Sequence, residues 1–349
     1  MFDKGIMDGV AFNMPVICVG NLSVGGTGKS PMVDHLVKIL KVKYHVATLS
    51  RGYRRRTSGY VLANEETTAI EIGDEPMQFH LAHPEIAVSV GEQRVEAIPQ
   101  LLYDRPDTQV IILDDAFQHR KIKAGFQIIL TDHANLYTHD YYLPTGELRD
   151  QIKSASRADI IVVTKCPYNL SEQERFMILN KLNPLPKQHV FFSTIRYEDP
   201  YHLIHGYKRH ITDEDEVLLI CGIANPTPLT EHIQKEAGSY EAIFYQDHQL
   251  YTIDDLQEIR TRFEQMNTSK TIIITTEKDA VKLVRFRNIL SDLPIYALPI
   301  GINFLFGQDQ SFARKIEQYP RSFYLNQAMQ IISENEVFVP EKELMEYYG

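Results

Sequence analysis

From Pro15 to about Thr194, short apolar runs alternate with amphipathic stretches. The runs are PVICVG (15–20), HVATLS (45–50), IAVSV (86–90), VIILDD (110–115), FQIILTD (126–132), IIVVTK (160–165) and HVFFST (189–194). Between the first two, Val33, Leu36, Val37 and Leu40 recur at i, i+3, i+4 and i+7, one face of a helix. Short β-rich runs separated by helices predict an α/β fold with a mostly parallel sheet covered on both faces. Ser171 and Glu174 have the spacing of a capping box that opens a later helix. Between Tyr197 and Asp215 the chain turns polar and aromatic without a helical period, as expected of a hinge with room for two crossing strands. A second alternation follows, with strands expected at EVLLICG (216–222), YEAIFYQ (240–246), TIIITT (271–276) and PIYALPI (294–300). There Thr252 and Asp255 cap a helix carrying Leu256, Ile259 and Phe263 on one face. The expected division is a first domain over 1–196, a hinge over 197–215, a smaller α/β domain over 216–320 and a patternless tail over 321–349.

Composition narrows the choice of partners. The 349 residues carry 36 Lys and Arg against 46 Asp and Glu, a formal charge of −10. That balance argues against coating a nucleic-acid duplex, which needs a broad basic face. Apolar residues at 44% and charged residues at 23% match soluble globular domains and exclude wholesale disorder. No apolar run approaches the roughly 20 residues needed to span a bilayer, and the start MFDKGIMDGVAF lacks the features of a secretory signal. The cytoplasm is therefore the default compartment. Cys18, Cys166 and Cys221 stand far apart and read as buried thiols rather than zinc ligands or disulfides.

The strongest chemical signal is the first strand followed by NLSVGGTGKSP and a helix. Glycines that let backbone N–H groups point inward, ending at a helix N-terminus with lysine and a hydroxyl residue, make a nucleoside triphosphate site and a P-loop NTPase-like domain. Gly25, Gly26, Thr27 and Gly28 supply the backbone, Lys29 the charge for the outer phosphates, and Ser30 a hydroxyl for magnesium. Ser23 stands where GxxxxGK[ST] requires glycine, so the loop is closer to GGxGK[ST]. Asp114 and Asp115 end an apolar strand and are the candidate magnesium carboxylates, with only one of the adjacent pair expected to face the metal. The strand IIVV runs into Thr164, Lys165, Cys166 and Pro167, with proline where a guanine-reading aspartate would stand, which favours ATP.

Six further patterns are SRGYRRR (50–56), GDEP (73–76), DDAFQHR (114–120), LPTGELRD (143–150), QDH (246–248) and TTEKDAVKL (275–283). In this order they resemble the tetraacyldisaccharide 4′-kinases, the lipid A 4′-kinases of Gram-negative envelope biosynthesis, from about residue 3 to about 320. The resemblance implies ATP- and Mg2+-dependent phosphorylation of the 4′-hydroxyl of a tetraacyldisaccharide 1-phosphate. It also implies a peripheral enzyme at the cytoplasmic face of the inner membrane, acting on a lipid A disaccharide precursor, with no obligate protein partner evident.

By that resemblance Asp74 of GDEP is the base and His248 of QDH its partner, approached from different domains. A sugar hydroxyl has a very high pKa, so a carboxylate must take its proton as the phosphoryl group moves. Arg149 is the candidate for stabilising charge on the γ-phosphoryl group. Gln118 and His119 are expected polar contacts to substrate or phosphate. Arg51, with Arg54, Arg55 and Arg56, suits an anionic ligand, though a solvated basic turn explains Arg55 and Arg56 nearly as well. Glu277, Lys278 and Asp279 divide equally between a domain-contact and a ligand role. The sequence departs from the family in having GKS for GKT, Ala116 where glycine is common, Asp150 where the family has glutamate, and a short segment before the first strand. A nucleotide-switch ATPase is the first alternative, but its signature lysine before the GG pair is replaced by Val24. A soluble small-molecule kinase is the second.

Overall fold

A computed structural model of the chain describes residues 8–266 and 269–334. In chain order the first strands are β1 (Val16–Asn21), β2 (Val46–Ser50), β3 (Val61–Leu62), β4 (Ala87–Val90), β5 (Val110–Asp114), β6 (Phe126–Asp132), β7 (Ile160–Thr164) and β8 (His189–Tyr197). Helices α1 (Lys29–Leu40), α2 (Ala69–Ile72), α3 (Asp74–Ala82), α4 (Arg94–Asp104) and α5 (Glu172–Leu182) lie between them. A second set follows: β9 (Tyr201–His202), β10 (Glu216–Cys221), β11 (Ser239–Phe244), β12 (Thr271–Thr276) and β13 (Ile295–Leu298), with α6 (Thr227–Glu236), α7 (Ile253–Gln265), α8 (Glu277–Leu283) and α9 (Arg287–Leu290). The described chain closes with β14 (Ile300–Phe304) and α10 (Asp309–Glu334).

The larger sheet has the order β14-β8-β7-β6-β1-β5-β2-β4-β3. Every pairing from β8 to β4 is parallel, and both edge strands are antiparallel. The uninterrupted apolar strands follow from coverage on both faces. Val16 and Cys18 of β1 face one core layer with Phe117 and Ile178, whereas Ile17 and Val19 face the other with Val33, Leu36, Val37 and Leu40 of α1. Burial pushes the thiols of Cys18, Cys166 and Cys221 up to about 12, leaving them protonated. The smaller sheet, β11-β10-β12-β13-β9, is parallel except for β9. Both expected capping boxes form, with Ser171 Oγ accepting from the Glu174 N–H and Thr252 Oγ1 from that of Asp255.

The run PIYALPI, expected to be one strand, is divided between two sheets. Its first part is β13, parallel to β12, and its end begins β14, antiparallel to β8. Pro299 stands at the break, where its missing N–H ends the ladder. Residues 300–334 therefore return to the larger sheet instead of finishing the smaller domain. The two crossings between sheets run side by side, with the Glu198 N–H donating to the Pro299 carbonyl at 3.0 Å. Much of the expected tail is helical. In α10, Phe312 and Ile316 are fully buried against the larger sheet, and Tyr319 stacks on Phe126 with ring centroids 5.2 Å apart. The interruption by Pro320 breaks the periodicity that would announce this helix. The remainder of the expected tail, 335–349, and the first seven residues of the short N-terminal segment lie outside the described residues.

Candidate active site

The phosphate loop lies between the carboxyl end of β1 and the N-terminus of α1, where strand order reverses around β1, the usual ligand position in an open parallel sheet. Gly25 and Gly28 adopt φ of 97° and 85°, the region that disfavours side chains, and space is open beside Gly25 and Gly26. The helix starts without a side-chain cap, so its first N–H groups face the loop. Asn21 Nδ2 donates to Thr27 Oγ1 at 2.8 Å, and Thr164 Oγ1 donates to the Thr27 carbonyl at 2.9 Å. These bonds anchor the loop to the ends of two strands.

The segment around Arg149 is clipped onto the loop. The Val24 N–H donates to the Glu147 carbonyl at 2.7 Å, and the Arg149 N–H to that of Leu22 at 2.8 Å. The Arg149 guanidinium then reaches Asn21 Oδ1 at 2.6 Å and pairs with Asp115, whose Oδ1 also lies 3.8 Å from Lys29 Nζ. Burial works against the charged form of Asp115, but the Arg149 hydrogen bond and then Lys29 outweigh it and hold the carboxyl below its ordinary range. Asp114 is in the opposite state. Buried, with Oδ1 lacking a hydrogen-bond partner among the described residues, its carboxyl is pushed up to about 7 by burial first and by Asp115 next. One aspartate thus orients two cations, while the other is an orphaned acceptor suited to a divalent cation. Mg2+ typically takes one or two carboxylates together with substrate oxygens and water, so Asp114 with Ser30 is an adequate protein share. Among the described residues no cluster of three or more His, Cys, Asp or Glu would enclose a metal by itself.

Asp74 begins α3 after Gly73, whose φ of 95° and close approach to the Tyr53 carbonyl, 3.0 Å from where a Cβ would sit, leave no room for a side chain. His248 reaches it from the loop after β11, with Nδ1 3.2 Å from Asp74 Oδ2. On the other side of the ring, Nε2 lies 3.2 Å from Lys278 Nζ, which also donates to Asp247 Oδ1 at 2.7 Å. A carboxylate at Nδ1 and an ammonium at Nε2 are satisfied together by the Nδ1–H tautomer. The next residue, Glu75, is close enough to raise the Asp114 carboxyl, so the pair stands beside the phosphate and metal groups.

The other expected residues are distributed unevenly. Gln118 Nε2 donates to the Asn21 carbonyl at 2.7 Å and braces the end of β1. His119 Nε2 is buried without a hydrogen-bond partner among the described residues, its imidazole held below the usual value by burial and then by Arg94. Arg51 is exposed, within electrostatic reach of His119 and Arg94. Arg55 belongs to the fold, because its guanidinium is buried against Glu92 and donates to the Gly59 carbonyl. Lys278 is tied to the His248 loop. Asp279 is wholly buried, accepting from the Gly222 N–H at 2.9 Å and Thr276 Oγ1 at 2.7 Å. Glu277 is pushed up to about 7 by burial and then by Asp34. Lys278 and Asp279 thus tie α8 to its own domain, and Glu277 Oε2 accepts from the Ile300 N–H at 3.4 Å, at the start of β14.

Sequence reasoning missed Asn21, Arg94 and Lys282. Arg94 is 4% exposed and donates to the Asp114 carbonyl at 3.3 Å. The available signal was an arginine in the stripe Arg94, Ala97, Ile98 and Leu101, a helical face that is otherwise apolar.

The raised Asp114 carboxyl has a measurable consequence. Its ordinary value is 3.8, so between about pH 4 and pH 7 the folded state binds more protons at this site than the unfolded chain does. The contribution of Asp114 to stability therefore falls as pH rises through this window. Without magnesium, Asp114→Asn is expected to raise Tm at pH 8 by at least ~2 °C, with the gain vanishing near pH 4. Thermal melts at the two pH values check this, and equal shifts at both would contradict it.

The chain is similar to known proteins over most of its length. The family profile described as tetraacyldisaccharide-1-P 4′-kinase matches residues 1–321. A tetraacyldisaccharide 4′-kinase of Flavobacterium johnsoniae is 45% identical over 323 residues, covering 91% of each chain. One of Bacteroides thetaiotaomicron is 39% identical over 335 residues, covering 92% of this chain and 88% of its own. The crystal structure of LpxK from Aquifex aeolicus, described as an "apo" form in complex with ATP, superposes with a TM-score of 0.70 at 25% identity, over 91% of this chain and 92% of that one. From the phosphate loop to the two-sheet architecture, the chain belongs to the tetraacyldisaccharide-1-P 4′-kinase family.

Proposed function

We propose that this protein transfers the γ-phosphoryl group of ATP to the 4′-hydroxyl of a tetraacyldisaccharide 1-phosphate, a lipid A precursor. The observation that carries the reading is the pairing of Asp74 with His248 across the two domains, beside a phosphate loop whose Lys29 and Arg149 converge on Asp115. A nucleotide switch has no use for such a pair. In this reading the N–H groups of the loop and the start of α1 receive the phosphates, and Lys29 and Arg149 stabilise charge on the transferred group. Asp74 accepts the proton of the attacking hydroxyl, and His248 holds the carboxylate in position through Nδ1–H. Ser30 and Asp114 are the residues that would hold magnesium, which when bound neutralises charge on the phosphate oxygens. Arg51 and His119, at the edge of the same site, suit an anionic part of the acceptor.

The acceptor is a lipid, and in this reading the enzyme works at the inner face of the inner membrane. No helix of the described residues is long and apolar enough to cross a membrane, which accords with peripheral attachment. The test is an assay with labelled ATP, Mg2+ and detergent-dispersed tetraacyldisaccharide 1-phosphate. Label at the 4′-position supports the function. ATP binding without transfer, in detergent and in phospholipid vesicles alike, would exclude it.

A further inference from the structure

Lys282 is the most deeply buried cation beside the candidate base. It lies on α8, is 4% exposed, and points its ammonium between two carboxylates, Asp279 Oδ1 at 3.2 Å and Asp74 Oδ2 at 3.6 Å. It also lies over the ring of buried Tyr251, 5.8 Å from the centroid. Neither carboxylate contact is a directed hydrogen bond, so a buried ammonium with three donors has none of them satisfied among the described residues. Such a group is expensive to bury, and fold stability alone is usually served as well by an apolar residue of the same length. Its surroundings are fixed from the smaller domain. Asp279 is itself held by the Gly222 N–H and Thr276 Oγ1, so the ammonium is aimed from a rigid base. Asp74, by contrast, belongs to the larger domain, and α3 packs directly on α8.

We infer that Lys282 is a positioning residue for the phosphoryl transfer, pinning Asp74 Oδ2 together with His248 so that the other carboxylate oxygen is directed at the acceptor hydroxyl. This rests on the reading of Asp74 as the base. Two contacts from the smaller domain, Lys282 Nζ and His248 Nδ1, converge on one oxygen of the larger. Correct aim of the base therefore depends on engagement of the two domains. The 3.6 Å separation is longer than a charge-assisted hydrogen bond, the kind of contact that tightens when substrates close a cleft.

The experiment compares the intact chain, Lys282→Met, Asp74→Asn and the double variant in the 4′-transfer assay, with single-turnover conditions for slow variants. Lys282→Met is expected to lower kcat about 10- to 100-fold with KM for ATP unchanged. In the Asp74→Asn background the same substitution should change kcat less than about twofold, because a residue that acts through Asp74 has nothing left to position. A merely structural role would lower kcat by the same factor in both backgrounds, and that result, a loss confined to KM, or an unchanged kcat overturns the proposal. Should Lys282→Met fail to fold by thermal melt, Lys282→Gln is run through the same cycle. A defective Asp74→Asn with an unimpaired Lys282→Met overturns this inference alone. Full activity of Asp74→Asn, or no transfer by the intact chain, overturns the reading beneath it as well.

Discussion

Asp74→Asn lowers kcat for 4′-transfer by about 10²- to 10⁴-fold, while nucleotide affinity stays within about threefold of the intact protein. The substitution keeps the size and planarity of the side chain but removes its capacity to accept a proton. His248 Nδ1–H can still donate to the amide oxygen, so the pair remains assembled and the loss is chemical rather than conformational. Asp74 lies on α3 and is not one of the phosphate-loop residues, so the groups that receive ATP are unchanged by the substitution. Steady-state kinetics and a nucleotide titration on the same preparation check both halves. A fall in kcat smaller than about tenfold would remove Asp74 from the role of base.

Lys29→Met produces a loss of a different kind, with kcat about 10²- to 10³-fold lower and nucleotide binding weakened as well. Lys29 is the first residue of α1 and remains partly exposed, with Nζ held 3.8 Å from Asp115 Oδ1. Its charge is thus preoriented at the mouth of the loop. The Arg149 pair with Asp115 survives the substitution, so the loop keeps its shape and Tm changes little. Calorimetric titration with ATP and Mg2+, together with kcat, separates the two effects. Unchanged affinity and rate would mean that the loop does not receive the phosphates.

Much of this arrangement was legible in the sequence, for reasons that differ from element to element. The parallel strands and α1 could be read because burial on both faces leaves continuous apolar runs and an i, i+3, i+4, i+7 stripe, both local properties. The loop could be read because phosphate binding demands small residues, a lysine and a hydroxyl in fixed order. The Asp74–His248 contact was reachable only through resemblance, since the two lie 174 positions apart and periodicity carries no information about what meets across domains. The split of PIYALPI was illegible for a related reason. A strand run does not say which sheet it joins, and only pairing with β12 and β8 shows that Pro299 is a junction. The arginine cluster could not be resolved from sequence, because four similar side chains are candidates for one role. Glu92 takes Arg55 into the fold, leaving Arg51 at the site's edge. Arg94 and Lys282 are charges within buried faces, the kind of local inconsistency that points to a site when it is noticed.

The return of β14 to β8 also bears on the order in which the protein can be completed during synthesis. The larger sheet lacks its outer strand, and α10 its place against α1, until the whole of the smaller domain has been translated. At ~5–20 residues per second this interval is on the order of 10 s, far longer than hairpin or helix formation. Throughout it β8 is an unprotected edge, with the buried residues Phe191 and Phe192 at its centre, open to pairing with other nascent chains. The smaller domain, continuous in sequence from β9 to β13, can meanwhile form its own sheet. A release of the chain before β14 emerges therefore leaves β8 as an open sheet edge.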